Sequence, residues 1–285
     1  MEMAGVKQMN EPLFPKIPLD EWVETFVDLL KEYIPFVFDA ISKGIETLMD
    51  GVIWLLSIGP PFLLIAVLAL LSWWIVNWKV GVFTLLGLGL INNLGYWPET
   101  IDTLSLVVIS VLFSMIIGVP IGIWMSQQRA VQSIITPLLD FMQTMPAFVY
   151  LIPAVVFFGL GMVPGVIATV IFSMPPIVRL TNLGIRQVDE ELVEASNAFG
   201  ATTGQRLTKV QIPLAMPTIM AGVNQTIMLS LAMVVVASLV GAPGLGTIVY
   251  RAITQVSIGM GFEGGLALVI IAIMLDRMTQ GRKAK

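Results

Sequence analysis

The side chains best suited to chemistry are scarce in this chain. It has no cysteine and no histidine, so thiolate nucleophiles, imidazole bases and the usual zinc ligands are absent. A membrane-embedded enzyme would then need paired carboxylates or an activated serine, and no such pair is evident. Asp140, Arg179 and Asp276 sit near the ends of apolar stretches, where snorkelling or pairing between helices is expected. Trp54, Trp73, Trp74, Trp78, Trp97 and Trp124 have the faces that attract a cation. Their places at or near the ends of apolar stretches instead predict aromatic belts, so no substrate-binding residue is assigned. Gly241 to Gly246 is glycine-rich but has no partnering lysine, and a tight turn is expected there. The phosphate-binding pattern GxxxxGK[ST] and any Gly-Lys pair are missing.

One polar interruption carries more information, the stretch 183–216. Asp189 can cap a helix whose first turn holds Glu190 and Glu191, and Gly200 stands where a C-terminal stop belongs. Thr202 and Gln205 have capping-box spacing for a second short helix, and Pro213 and Pro217 punctuate the return to apolar sequence. Leu192, Ala195, Ala198 and Phe199 fall on one face of the first short helix. That face either packs on the protein's own helices or receives a partner.

The elements that position this loop are membrane spans. The chain has 285 residues, 56% hydrophobic and 12% charged, against roughly 25% charged in soluble domains. Apolar stretches near the ~20 residues a bilayer requires recur at 61–78, 81–97, 100–126, 138–162, 164–182, 217–240 and 263–280. Proline and glycine within them, such as Pro120 beside Gly118 and Gly122 or Pro175 with Pro176, predict kinked and closely packed helices. The fold class expected is an all-α integral membrane protein with about seven transmembrane helices. Residues 1–58 form a separate acidic N-terminal segment, with ten acids and four bases in its first 50 residues, and 59–285 form the transmembrane domain. Helical spacing over 18–33 and 36–50, with Asp39, Lys43, Glu46 and Asp50 on one stripe, predicts two amphipathic helices. The segment has no signal-peptide pattern, so no cleavage is expected. Lys79, Arg129, Arg179, Arg186, Arg206, Lys209, Arg277, Arg282, Lys283 and Lys285 fall on one side of a seven-span arrangement; Arg251, Lys7, Lys16, Lys31 and Lys43 fall on the other. The positive-inside rule then puts the C terminus in the cytoplasm and the N terminus outside.

Glu194-Ala195-Ser196, followed by Gly200 and by Val210-Gln211-Ile212-Pro213, resembles the EAA signature of ABC importer permeases. The departures are Ser196 for the second alanine, Val210 for isoleucine and Ile212 for leucine, all similar in size. The resemblance to glycine betaine/proline betaine permeases extends over most of the chain from Pro61 onward. It includes Gln143-Thr144-Met145-Pro146, Pro175-Pro176-Ile177-Val178-Arg179 and Gly241-Ala242-Pro243-Gly244-Leu245-Gly246. The acidic N-terminal segment also resembles the betaine branch, related choline and carnitine permeases being shorter there.

The resemblance implies a type I ABC importer permease-like helical bundle in the cytoplasmic (inner) membrane of a prokaryote. It implies that the EAA loop docks on a cytoplasmic ATPase, with Glu194, Ala195, Ser196, Gly200 and Ala201 at the contact; Ala198 and Phe199 complete the expected coupling face. The implied partners are two ATPase subunits, an extracytoplasmic substrate-binding protein, a second copy of this chain and the lipid bilayer, with no nucleic acid. ATP and magnesium belong to the ATPase, and this chain binds no cofactor of its own. The cargo implied is glycine betaine or a related compatible solute, with choline, carnitine and proline betaine left open. A secondary transporter driven by an ion gradient is the alternative of another class. It predicts acidic residues near the bilayer midplane and inverted repeats, neither of which is seen in the sequence.

Overall fold

The structure is a computed structural model that describes residues 18–281, and all regular structure among them is helical. Lys7, Lys16, Arg282, Lys283 and Lys285, used in the charge asymmetry, lie outside the described residues. The chain divides into two compact units, residues 1–41 and 42–285.

The first unit contains α1 (Leu19–Tyr33), with Asp20 and Glu21 in its first turn and Lys31 in its last, an arrangement that complements the helix dipole. Helix α2 (Pro35–Leu56) begins in this unit and continues into the second. Its stripe of Asp39, Lys43, Glu46 and Asp50 is exposed, while Ile45 and Met49 are buried, as helical spacing demands. The helix runs six residues beyond the expected 36–50. Val52, Ile53 and Leu56 pack on the core, and that packing overrides the low helix propensity of Gly51.

In the second unit the chain turns sharply after α2 at Gly59 (φ +85°) and the extended Pro60. Helices α3 (Pro61–Ile75) and α4 (Trp78–Asn93) form a hairpin capped by Asn77, whose side chain accepts from the Val80 amide. A buried Ser72–Thr84 hydroxyl pair at 3.1 Å joins them. At 15 and 16 residues each is only about 23 Å long, short of the ~30 Å hydrocarbon core.

The remaining helices are α5 (Trp97–Gln127), α6 (Arg129–Thr144), α7 (Ala147–Phe158), α8 (Met162–Arg186), α9 (Glu190–Ala198), α10 (Thr203–Arg206), α11 (Ile212–Ala237), α12 (Leu245–Thr254) and α13 (Ile258–Gln280). By length and composition four elements can cross a membrane: Trp97–Gln127, Met162–Arg186, Thr203–Val240 and Ile258–Gln280. The number rises to six if two sharply bent pairs, α2 with α3 and α6 with α7, each count as one span.

The stretch expected as a single span over 138–162 is the main departure. It is broken at the extended Met145 and the non-helical Pro146, and α6 and α7 meet at 98°. The proline ring disfavours helical geometry in the residue before it, here Met145. Pro120 and the Pro175–Pro176 pair lie inside unbroken helices.

Helices α5, α8 and α11 form the centre, where a ladder of hydroxyls crosses the bundle: Ser230 donates to Ser173 at 3.1 Å, and Ser114 lies 3.4 Å from Ser173. Close approach depends on small residues. A Cβ at Gly122 would lie 2.6 Å from the Val178 carbonyl oxygen. Trp97, expected in an interfacial belt, is instead buried in the core with Ile101 and Leu104. As the first residue of α5 it sits where that helix packs on its neighbours, whereas Trp54, Trp73, Trp74, Trp78 and Trp124 are exposed.

Candidate functional site

The loop between α8 and α11 is built by local hydrogen-bond rules that the sequence spells out. The Asp189 side chain caps α9 by accepting from the Glu191 amide at 3.1 Å. At the other end the Ala201 amide donates to the Ser196 carbonyl at 3.0 Å and the Gly200 amide to the Asn197 carbonyl at 2.9 Å. This nested pair is a Schellman closure, which needs a left-handed residue after the last turn. Gly200 supplies it with φ +77°.

A capping box opens α10: the Gln205 amide donates to the Thr202 hydroxyl at 3.3 Å, and the Thr202 amide to the Gln205 side-chain oxygen at 3.0 Å. A π-helical turn, Leu207–Gln211, then leads into α11. Arg206 donates to the Asn197 side-chain oxygen at 3.2 Å and fastens α10 to α9. Ile185, Ala215 and Ile219 are buried at the base with Val188, Leu207 and Ile212 packed on them. The loop is therefore a stiff body seated on the ends of α8 and α11.

Its outward surface is bare. Glu194, Ala195, Ala198, Phe199 and Gly200 are exposed, Ser196 and Ala201 are half-buried, and Leu192 belongs to the same open face. Phe199 is 92% exposed. Among the described residues no helix of the chain covers Phe199, Leu192 or Ala198.

The same end of the bundle holds the paired charges. Arg179 donates to Asp140 across α8 and α6, and Arg186 to Gln132. Asp276 accepts from Asn224 at 2.7 Å and from Gln280 at 2.7 Å, while Thr279 donates to the Asn224 side-chain oxygen at 2.9 Å. Asp140, Arg179 and Asp276 thus do pair between helices. Sequence reading did not find Asn224, Asn197 or the π turn; an asparagine within an apolar span was the available signal for the first.

At the opposite end the Gly161 amide donates to the Val240 carbonyl at 2.8 Å. The Gly241–Gly246 run is a turn, with Gly241 at φ +87° and Gly244 at +128°, fixed by the Leu245 amide donating to the Thr103 hydroxyl at 2.9 Å. Tyr96 donates to Glu263 at 2.7 Å, joining the α4–α5 turn to α13. That hydrogen bond, burial and the nearby carboxylates raise the Tyr96 pKa above its ordinary value.

The described residues thus form a helical bundle with four to six elements able to cross a membrane, carrying one capped loop whose apolar face is uncovered. The chain belongs to the family of binding-protein-dependent transport system inner membrane components, whose pattern matches residues 114–278. It is 54% identical over 271 residues to the glycine betaine transport system permease protein OpuAB of Bacillus subtilis, covering 95% of this chain and 96% of that one. It is 52% identical to the glycine betaine/carnitine transport permease protein GbuB of Listeria monocytogenes, covering 96% and 99%. With the glycine betaine/proline betaine permease protein ProW of Escherichia coli it shares 49% identity, covering 93% and 75%. Among solved structures, a chain of the inward-facing MetNI methionine ABC transporter matches with a TM-score of 0.55 at 23% identity, over 61% of this chain and 88% of that one. The fold is that of an ABC importer permease, and the chain is a multi-pass membrane permease subunit.

Proposed function

We propose that this permease carries glycine betaine or a related quaternary-ammonium solute into the cell, powered by a separate ATPase that docks on the α9 face. The observation that carries the coupling assignment is the exposed surface of Leu192, Ala195, Ala198 and Phe199, held rigid by caps at both ends of α9. The cargo assignment is supported by the names of relatives at 49–54% identity.

Glu194, Ala195, Ser196, Ala198, Phe199, Gly200 and Ala201 form the docking surface in this reading. ATP and magnesium act in the ATPase, and closure of its two copies displaces α9. The cluster of Ile185, Val188, Leu207, Ala215 and Ile219 passes that displacement to α8 and α11. One chain has one such loop, so two copies of the chain serve two ATPase subunits. An extracytoplasmic binding protein delivers the solute at the opposite end. The loop faces the cytoplasm and the Gly241–Gly246 turn faces outward.

Two measurements test the proposal. In proteoliposomes holding the permease, ATPase and binding protein, betaine uptake should require ATP and all three components; uptake by the permease alone under an ion gradient would establish the secondary-transporter mechanism. The chain lacks cysteine, so single cysteines at the exposed Gln255 and Thr203 report orientation cleanly. An impermeant thiol reagent on intact cells should label Gln255→Cys and spare Thr203→Cys, and the reverse pattern would invert the orientation.

A further inference from the structure

At the end opposite the α9–α10 loop, the start of α5, the α11–α12 turn and α12 line an open cavity of about 330 Å³, within the range of small-molecule sites, ~300–1,000 Å³. Glu99 and Asp102 line it from α5 and Arg251 from α12. The two acids are three residues apart on one helix, where side chains are neighbours and like charges repel. Yet Arg251 forms no ion pair within 4.0 Å among the described residues, and neither acid does. One carboxylate oxygen of Glu99 is shut off from solvent and has no hydrogen-bond partner. The dipole of α5 favours an acid in its first turn, but that leaves the second acid, the separated base and the space between them unexplained.

The hydroxyls around the cavity are already committed. Ser238 donates to the Val235 carbonyl at 2.6 Å and Thr247 to the Ala242 carbonyl at 3.2 Å. The acidic wall therefore offers charge without donors, while the guanidinium offers donors in the forked geometry that suits a carboxylate. A neighbouring cavity of about 290 Å³ shares Pro98 and Asp102 but has no base, so it lacks the second half of this arrangement.

We propose that this cavity is an entry station for a small zwitterion whose cation cannot form hydrogen bonds, with Glu99 and Asp102 facing the quaternary ammonium and Arg251 binding the carboxylate. The assignment rests on the importer reading above and adds a specific binding step at the mouth of the passage.

The test uses the whole complex in proteoliposomes, with radiolabelled glycine betaine delivered by its binding protein. The wild-type complex is the control: if it takes up no betaine, the cargo assignment fails, whatever the variants do. With an active wild type, Glu99→Gln and Arg251→Gln should each lower the maximal uptake rate about tenfold, with unchanged complex yield and unchanged affinity for the loaded binding protein. Glu99→Gln keeps the side chain's shape, and Arg251 is exposed, so both variants should assemble. Asp102→Asn serves as a third variant if either yield falls. Uptake within twofold of wild type for all assembled variants would overturn the proposal. A loss of uptake matched by weaker capture of the binding protein would overturn it too, since these residues would then form a docking surface and not a solute site.

Discussion

Substituting Gly200 separates backbone strain from charge at the α9 tip. Its φ of +77° favours glycine, and a Cβ built there meets nothing within 4 Å. Gly200→Ala therefore carries only the left-handed backbone penalty, about 1 kcal/mol, or roughly a fivefold loss of the closed loop if all of it falls there. Asparagine tolerates this conformation better, so Gly200→Asn should cost less than alanine. Gly200→Asp has nearly the same shape as asparagine but adds a negative charge at the unfavourable end of the α9 dipole, worth ~0.3–1 kcal/mol. Docking would also desolvate that charge, a cost of several kcal/mol when no partner meets it. The expected order of ATPase retention on the purified complex is glycine, asparagine, alanine and then aspartate, with betaine uptake in cells following it. Membrane levels should stay near wild type, because the residue lies outside the spans and clashes with nothing. Full retention and full uptake for Gly200→Asp would refute the reasoning, since a charge at a docked tip cannot be silent.

Thr202→Ala removes the reciprocal cap of α10 at a cost of about 1 kcal/mol, seen as faster amide exchange across 202–206 with unchanged exchange in α5. Asp276→Ala strips Asn224 and Gln280 of their common acceptor; a drop of ~1–3 kcal/mol should appear as a lower thermal midpoint of the purified permease. Tyr96→Phe deletes the hydroxyl that donates to Glu263, at about 1 kcal/mol. Because the folded state raises the Tyr96 pKa, its contribution is complete below the ordinary value near ~10 and is lost as pH rises through the higher folded value. The midpoint difference between wild type and Tyr96→Phe should accordingly be constant at neutral pH and close in strongly alkaline buffer; a difference that persists there would contradict the linkage.

The parts of the loop governed by contacts three to five residues apart were legible in the sequence. Asp189, Gly200, Thr202 and Gln205 each satisfy a backbone group close by in the chain, so their types and spacing suffice. Hydropathy located the apolar stretches, but it averages over a window and is blind to direction. The break at Met145 and Pro146 lies within apolar residues, and a 98° bend leaves that average unchanged. Trp97 shows the converse limit: belts are inferred from distance to a span end, whereas its burial depends on which helices cross there. Asn224 meets Asp276 from 52 residues away and Arg206 meets Asn197 across a turn, pairings that need the packed geometry first.

The helices beneath the loop explain why its stiffness matters at the far end. Helices α8 and α11 have 25 and 26 residues and so span roughly 38 Å each. They cross closely: a Cβ at Gly222 would lie 3.1 Å from the Ile177 Cα, and one at Gly184 2.9 Å from the Thr218 Cβ. Such a contact resists sliding and favours the pair moving as one body. The apolar base beneath α9 joins both helices at one end, and the Gly161–Val240 hydrogen bond joins the residues flanking them at the other. For a lever of roughly 38 Å, a tilt of about 5° at the base moves the far end by about 3 Å. That end carries Ser238 and Gly241 of the cavity, while Glu99 and Asp102 belong to α5. The Leu245–Thr103 hydrogen bond and the close approach of α5 to α8 at Gly122 tie both walls to the same helix pair, so a displacement of α9 would tilt the cavity as a unit and not shear its walls apart.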